Sequence, residues 1–304
     1  MLTIHQLQVF VTIADHRSIR RAAEQLVVTQ PAVSASLAAL ERSVGVELVA
    51  RHGRGIELTE AGRVMVRYAR VMLGLVDEAI AATKFADDPV TAPVRVGATT
   101  ASADHMLMPL LARIRTHRPA MQFNLEVGNR ARVWQLLADR QVDIAVTTRP
   151  PANGAFESLA TRNNEFVLVA KPGSVWAGKL GEATWLVREE GSSSRSATDE
   201  VIAMLGISPP TLAIGSNAAI QRSAEAGLGV ALLPAEAVVG AIKTRSLATI
   251  RAEATPLRKP WHVVARAGET LSSAARQFID DLVNIGGEFE FTPVGATLVQ
   301  RGSR

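Results

Sequence analysis

The sequence predicts an α/β protein in three parts: an all-α-rich N-terminal winged helix-turn-helix, a long linker helix, and a bilobed, doubly wound α/β domain. Three observations carry that prediction. Residues 1–60 hold three short helical stretches and then two strand-like pieces around a Gly-rich basic tip. Residues 59–85 keep a sevenfold apolar repeat without a Pro. Residues 93–285 alternate strand and helix signals, the pattern of an α/β domain.

The first helix starts near Ile4, because Thr3 and Gln6 make a capping-box pattern and Leu2 and Leu7 stand at the spacing of a hydrophobic staple. Leu7, Phe10, Val11 and Ala14 then share one face. Ser18 is the expected N-cap of a second helix, SIRRAAEQL, with Ile19, Ala22, Ala23 and Leu26 inward and Arg20 and Arg21 outward. The third helix is TQPAVSASLAALERSVG, residues 29–45. Thr29 caps it, Pro31 is tolerated because first-turn N–H groups lack intrahelical partners, and Gly45 ends it. Val33, Leu37, Leu40 and Val44 recur at helical spacing and form its expected buried side. Two short helices in phase, joined by a few residues, make a helix-turn-helix, and VELVA and GIELT around RHGRG read as a wing.

From Thr59 a helix is expected to run to about Phe85, with Met65, Met72 and Ala79, and likewise Tyr68, Leu75 and Ala82, seven residues apart. At ~1.5 Å per residue it is roughly 40 Å long, too long for so small an N-terminal domain to cover, so pairing with a second chain is expected. ADDPVTAPV is a breaker-rich linker. Strands are expected at VRVGAT, QFNLEVG, VDIAVTT, EFVLVA, TWLVRE, TLAIGS, GVALLP and WHVVARAG, with helices between them and a last helix at SSAARQFIDDLVNI. Two similar halves imply two lobes and a cleft between them. The expected boundaries are 1–60 for the winged helix-turn-helix, 61–88 for the linker helix and 92–290 for the bilobed domain. Lobe I takes 92–162 and 265–290, and lobe II takes 163–264. The tail, 291–304, has no clear period and is expected to be disordered.

A composition of 47% hydrophobic and 20% charged residues is globular, and no apolar run reaches the ~18 residues that cross a bilayer. MLTIHQLQVF lacks the features of a signal peptide, so a cytoplasmic location is expected, with no membrane contact. The absence of Cys removes disulfides, thiol catalysis and Cys-ligated zinc together. A net charge of +4 and a pI near 9.9 are compatible with nucleic acid, although the position of the charge matters more.

The run AAEQLVVTQPAVSASLAALERSVGVELVARHGRGIELTEAG resembles the winged helix-turn-helix of LysR-type transcriptional regulators. The linker helix and bilobed half continue that resemblance to about residue 285. TTRPP at 147–151, GSNAAIQRSAEAGLGVALLP at 215–234 and PLRKPWHVVARAGETLS at 256–272 are similar to the subgroup regulating carbon-fixation (CbbR-like) operons. The resemblance implies a periplasmic-binding-protein-like effector domain, dimers joined into a tetramer, activation of transcription with RNA polymerase as a partner, and an effector between the lobes.

The residues themselves point to double-stranded DNA. A major-groove helix needs side chains at its N-terminal end that reach base edges. Gln30 can pair bidentately with adenine, Ser34 and Ser36 can bond bases or phosphates, and Pro31, Ala32 and Ala35 can meet a thymine methyl. Arg20, Arg21, Arg42, Arg51, His52 and Arg54 supply positive charge around that helix, with Arg54, between two Gly, suited to a narrow minor groove. An ordinary solvated Arg face is the alternative reading. In the bilobed half, hydroxyls and amides gather where strands give way to helices: Thr99, Thr100 and Ser102; Thr147, Thr148 and Arg149; Ser192, Ser193, Ser194 and Arg195; Ser216 and Asn217. Carboxyl ends of strands and N-termini of helices favour an anion, so the expected ligand is a small carboxylate or phosphate metabolite, with no cofactor. Each such Ser or Thr can instead be a plain helix cap.

An enzyme is not expected. No GxSxG elbow occurs, AGLGVALLP lacks the spacing and position of a dinucleotide fingerprint, and the six His show no metal-binding spacing. A solute-binding protein fits the bilobed half alone, but not the N-terminal 90 residues.

Overall fold

The computed structural model describes residues 1–52, 55–176 and 178–295, without the side chain of His52. Two units separate: residues 1–87 with 138–141, and the remainder.

Four helices and a hairpin build the first unit: α1 (Ile4–His16), α2 (Ile19–Leu26), α3 (Gln30–Val44), β1 (Val49–His52), β2 (Gly55–Leu58) and α4 (Glu60–Lys84). Each helix starts at its expected cap. Thr3 and Gln6 form the reciprocal capping box, Ser18 accepts from the Arg21 N–H, Thr29 from Ala32 and Thr59 from Gly62. Gly45, at φ 83°, ends α3 in the left-handed region. One core gathers Leu7, Phe10 and Ile13 of α1, Ala22 and Ala23 of α2, Val33, Leu37 and Leu40 of α3, Leu48, and Val66 and Ala69 of α4. Val44 was expected inside but is 41% exposed, because α3 has passed the end of that core by its last turn.

The faces of α4 differ from the expected heptads. Met65 and Met72 pack on the core of their own chain, whereas Tyr68 (61%) and Leu75 (45%) are exposed together with Val64, Ala79 and Ala82. The period was right, but it contained two stripes: one completes the chain's own core and the other is left uncovered.

In the second unit, lobe I holds β3 (Val94–Thr99), α5 (Thr100–Ser102), a π-helical turn (Ala103–Leu107), α6 (Met108–His117), β4 (Phe123–Gly128), α7 (Arg130–Ala138), β5 (Ile144–Thr147) and β6 (Phe156–Arg162). Lobe II follows with β7 (Glu165–Ala170), β8 (Trp185–Val187), α8 (Ser193–Met204), β9 (Thr211–Ala213), α9 (Asn217–Ala226), β10 (Val230–Pro234), α10 (Ala235–Lys243), β11 (Ala248–Ile250) and β12 (Leu257–Arg258). The chain returns to lobe I for β13 (Trp261–Arg266), α11 (Ser273–Asn284) and β14 (Thr292–Pro293). Lobe I has the strand order β14-β6-β13-β5-β3-β4, and lobe II has β11-β7-β10-β8-β9 with β12 beside β7. In each, the three-strand parallel part, β5-β3-β4 or β10-β8-β9, sends its carboxyl ends toward helix N-termini.

Two expectations are corrected here. Strand β13 pairs with β5 and β6, so lobe II ends near residue 258 and not at 264. The second interlobe crossing is therefore at 259–260, where Lys259 N–H donates to the Asn164 carbonyl and Asn164 Nδ2 donates back to the Lys259 carbonyl, both at 2.9 Å. The start of the tail is also ordered: Phe291 is buried in the lobe I core and β14 pairs with β6. Residues 296–304 lie outside the described residues. No helix among the described residues is long and apolar enough to cross a membrane.

Candidate nucleic-acid face and ligand cleft

The N-terminal turns of α3 are exposed at Gln30, Pro31, Ala32, Ser34 and Ala35, while Val33, Leu37 and Leu40 on the opposite side are buried. Thr29 is exposed too, with its hydroxyl engaged as the cap. Ser36 departs from the expectation: its Oγ is covered by protein and has no hydrogen-bond partner among the described residues, because it sits where α3 turns from its exposed face to its buried one. Arg20 and Arg21 are exposed on α2 and Arg51 on β1. Arg20 shares its charge with Glu24 across 3.4 Å, an exposed pair of the weak surface type. Arg54 lies outside the described residues. Residues 1–60 contain six Arg and six carboxylates, so the positive potential of this unit depends on placement and not on excess.

Glu41, which the sequence reading did not single out, joins the end of α3 to the hairpin. Its Oε1 accepts from the backbone N–H of Leu48 (2.8 Å) and Val49 (3.3 Å). Replacing it by Ala leaves both donors without that partner, an expected loss of about 1–3 kcal/mol in the N-terminal unit. Glu41→Gln keeps an acceptor oxygen and should recover most of it, as chemical denaturation of the two variants will show.

Between the lobes, a cleft of about 170 Å³ is lined by Thr99, Thr100, Ala101, Gly128, Asn129 and Arg130 of lobe I and by Arg188 and Ser192–Ser194 of lobe II. The lobes meet beside it, where the Ala131 N–H donates to the Gly191 carbonyl at 3.3 Å. Helix α8 enters the cleft without a side-chain cap: Ser192 occupies the N-cap position but its hydroxyl makes no cap bond. Ser194 is buried and its Oγ has no partner among the described residues. Two guanidinium groups flank this helix start. Arg188, buried, donates to Asn217 Oδ1 (3.1 Å) and forks onto Glu189, holding that carboxyl below the usual range, while Arg130 donates to Ser196 Oγ (3.1 Å).

The expected ligand residues fall into groups. Thr99, Thr100, Ser193 and Ser194 line the cleft; Asn217 sits behind it on Arg188, its Nδ2 buried and without a partner among the described residues. Ser102 does not belong to the cleft lining: it is fully buried and its Oγ bonds the carbonyls of Thr99 and Val146, both at 2.9 Å, so it clamps the helix start to the sheet. Thr99 also bonds Ser102, at 2.9 Å, which makes it a cap as well as a wall. Thr147 and Thr148 keep buried hydroxyls that have no partner among the described residues and lie outside the 170 Å³ space, and Arg149 is exposed. Gly128, Asn129, Arg130 and Arg188 were missed, although Gly128 ends β4, Asn129 and Arg130 follow it and Arg188 follows β8 as Thr100 follows β3, and that shared position was the available signal.

Two family models match this chain: a bacterial regulatory helix-turn-helix protein of the lysR family over residues 4–63, and a LysR substrate binding domain over residues 87–284. The RuBisCO operon transcriptional regulator of Allochromatium vinosum is 31% identical over 291 residues, covering 91% of this chain and 94% of that one. The regulator CfxR of Cupriavidus necator is 31% identical over 296 residues, covering 95% and 93%. Full-length CbnR, solved with its target DNA, shares the fold with a TM-score of 0.64 at 21% identity, covering 92% of this chain and 98% of that one.

Proposed function

We propose that this chain, which belongs to the LysR family of DNA-binding transcriptional regulators, activates transcription from a two-fold DNA site under the control of a small anionic metabolite bound between its lobes. Residues 1–60 read DNA, 61–88 pair two chains, and 92–290 sense the ligand. The observation that carries the DNA part is the division of α3 into one buried side and one exposed N-terminal face of Gln30, Pro31, Ala32, Ser34 and Ala35. Thr29, Arg20, Arg21, Arg51 and Arg54 position the helix on phosphates, and Gln30 reads a base. The covered hydroxyl of Ser36 takes it out of the reading set.

Pairing through the uncovered α4 stripe places two recognition helices on two half-sites, and the bilobed domains join dimers into a tetramer that meets RNA polymerase. An anion at the uncapped start of α8 receives N–H groups of its first turn and the unpaired Ser194 hydroxyl, with Thr100 and the cations Arg130 and Arg188 around it. Binding shifts the arrangement of the lobes only if the closed form holds the ligand more tightly than the open one.

A pair of substitutions tests the DNA assignment. Arg21→Ala should weaken binding uniformly across sequences and lower the slope of log affinity against log salt by about one. Gln30→Ala should instead relax the base preference at one position of each half-site, by about 1–3 kcal/mol of discrimination. Binding curves on a set of point-mutated sites measure both, and parallel behaviour of the two variants would remove the division of roles.

A further inference from the structure

We infer that His262 and Thr147 form a second polar end of the effector site, one that takes a carboxylate of the ligand, so that the effector carries an anionic group at each end. The inference rests on the reading of the cleft at α8 as an anion site. His262 of β13 and Thr147 of β5 are cross-strand partners, and their side chains leave the same face of the sheet. Ala145 and Val264, two residues away on that face, pack with Val133, Leu136 and Leu137 of α7, whereas Val146 and Val263 point into the other core of lobe I. Strand β3 lies on the other side of β5, in a register where Ala98 partners Val146, so Thr99 comes level with Thr147. Gly97, two residues before Thr99, faces Val133 and Val142 of the same layer. Thr99, Thr147 and His262 therefore form one row across three adjacent strands at their cleft end. With strands ~4.8 Å apart, the row extends roughly 10 Å from Thr99, which lines the cleft, to His262.

Two of these side chains are buried without their hydrogen bonds. Thr147 is fully buried and His262 is 8% exposed, and neither Thr147 Oγ1 nor His262 Nε2 has a partner among the described residues. Buried polar atoms are nearly always paired, and these two, on neighbouring strands, are placed to share one bound group. The ring is held by its other nitrogen: Nδ1 lies 2.8 Å from Ser158 Oγ. With the Ser158 hydroxyl donating to Nδ1, Nε2 carries the proton, and Nε2–H and the Thr147 hydroxyl then offer two donors side by side, as a carboxylate requires. Burial and the nearby Arg149 charge keep His262 below its usual pKa and therefore neutral, and the same Arg149 favours an incoming anion. The pair stands beside the return crossing at 259–260, so parting of the lobes admits a ligand to it.

Calorimetric titration of the full chain tests the assignment. The two-ended probes are succinate and 3-phosphoglycerate, and the one-ended probes are butyrate and inorganic phosphate. The wild type should bind at least one two-ended probe tenfold or more tighter than either one-ended probe. Thr147→Val, a near-isosteric change, and His262→Leu should remove that gain, and Thr147→Ser should restore it. Wild-type affinity for two-ended probes in the Val and Leu variants, or no gain for two-ended probes in the wild type, overturns the proposal. The anion reading of the cleft fails separately if Ser194→Ala leaves the binding of every probe unchanged.

Discussion

Replacing Tyr68 and Leu75 together by Asp should weaken binding to a two-fold DNA site by about 100-fold, within the range that linking two binding modules supplies. Both side chains lie on the outer stripe of α4, with Val64, Ala79 and Ala82, and neither belongs to the core of its own chain. Introducing carboxylates there leaves the chain's own packing intact but puts unpaired charges into any surface where two copies of the helix meet. Sedimentation should then report a lower assembly state, and binding to a single half-site should be far less affected than binding to the whole site. A Met65→Asp change is the contrasting case: Met65 packs inward, so its loss appears as unfolding of the first unit. Equal effects on half-site and whole-site binding for the outer pair would show that α4 does not provide the avidity.

The second large effect is expected at Gly62. This residue lies in the first turn of α4, where its N–H meets the Thr59 hydroxyl at 2.9 Å. A Cβ built there would stand 1.9 Å from the carbonyl oxygen of Leu48. That oxygen also accepts from the Thr59 N–H at 3.0 Å, so it is fixed backbone and cannot step aside. Gly62→Ala should therefore separate the start of α4 from the residue before the hairpin and destabilise the first unit by about 1–3 kcal/mol, the usual scale of overpacking. The expected result is a lowered denaturation midpoint for that unit, with hydrogen exchange rising first around Leu48, Thr59 and Gly62. An unchanged midpoint would mean that the helix start can shift at no cost.

Much of this architecture was legible because the local signals are chemically unambiguous. Thr3, Ser18, Thr29 and Thr59 each precede an apolar-periodic run and each became a cap. The strand at Val94–Thr99 and the helix at Asn217–Ala226 fell where pattern and turn residues agreed. Strand β6 was missed because its burial follows no clean alternation along Phe156–Arg162, and β11 and β12 are too short to carry a period. The boundary of lobe II was misplaced for a related reason: WHVVAR reads as a strand, but only its pairing with β5 and β6 tells which sheet owns it.

The site was legible by chain position and less so by role. Hydroxyls after β3 and at the start of α8 do line the cleft, but the sequence could not separate Thr100 from Ser102, whose hydroxyl is spent on the Val146 carbonyl. The exposed face of α3 was visible in its helical period, except at Ser36, where a residue near the edge of the exposed arc proved covered. Arg188 escaped notice because a single Arg after a three-residue strand has no motif, and its partners Glu189 and Asn217 meet it only in the folded lobe.

The role proposed for the exposed face of α3 is to read a specific two-fold site. Its most direct test is genome-wide mapping of the DNA bound by the wild-type chain and by Gln30→Ala in cells, beginning with the region beside the protein's own gene. The expected result is discrete sites of imperfect two-fold symmetry, with half-sites separated by about one helical turn, 10–10.5 base pairs, or a multiple of it, and a relaxed motif for the variant. No enriched site, or an identical motif for both proteins, would contradict it.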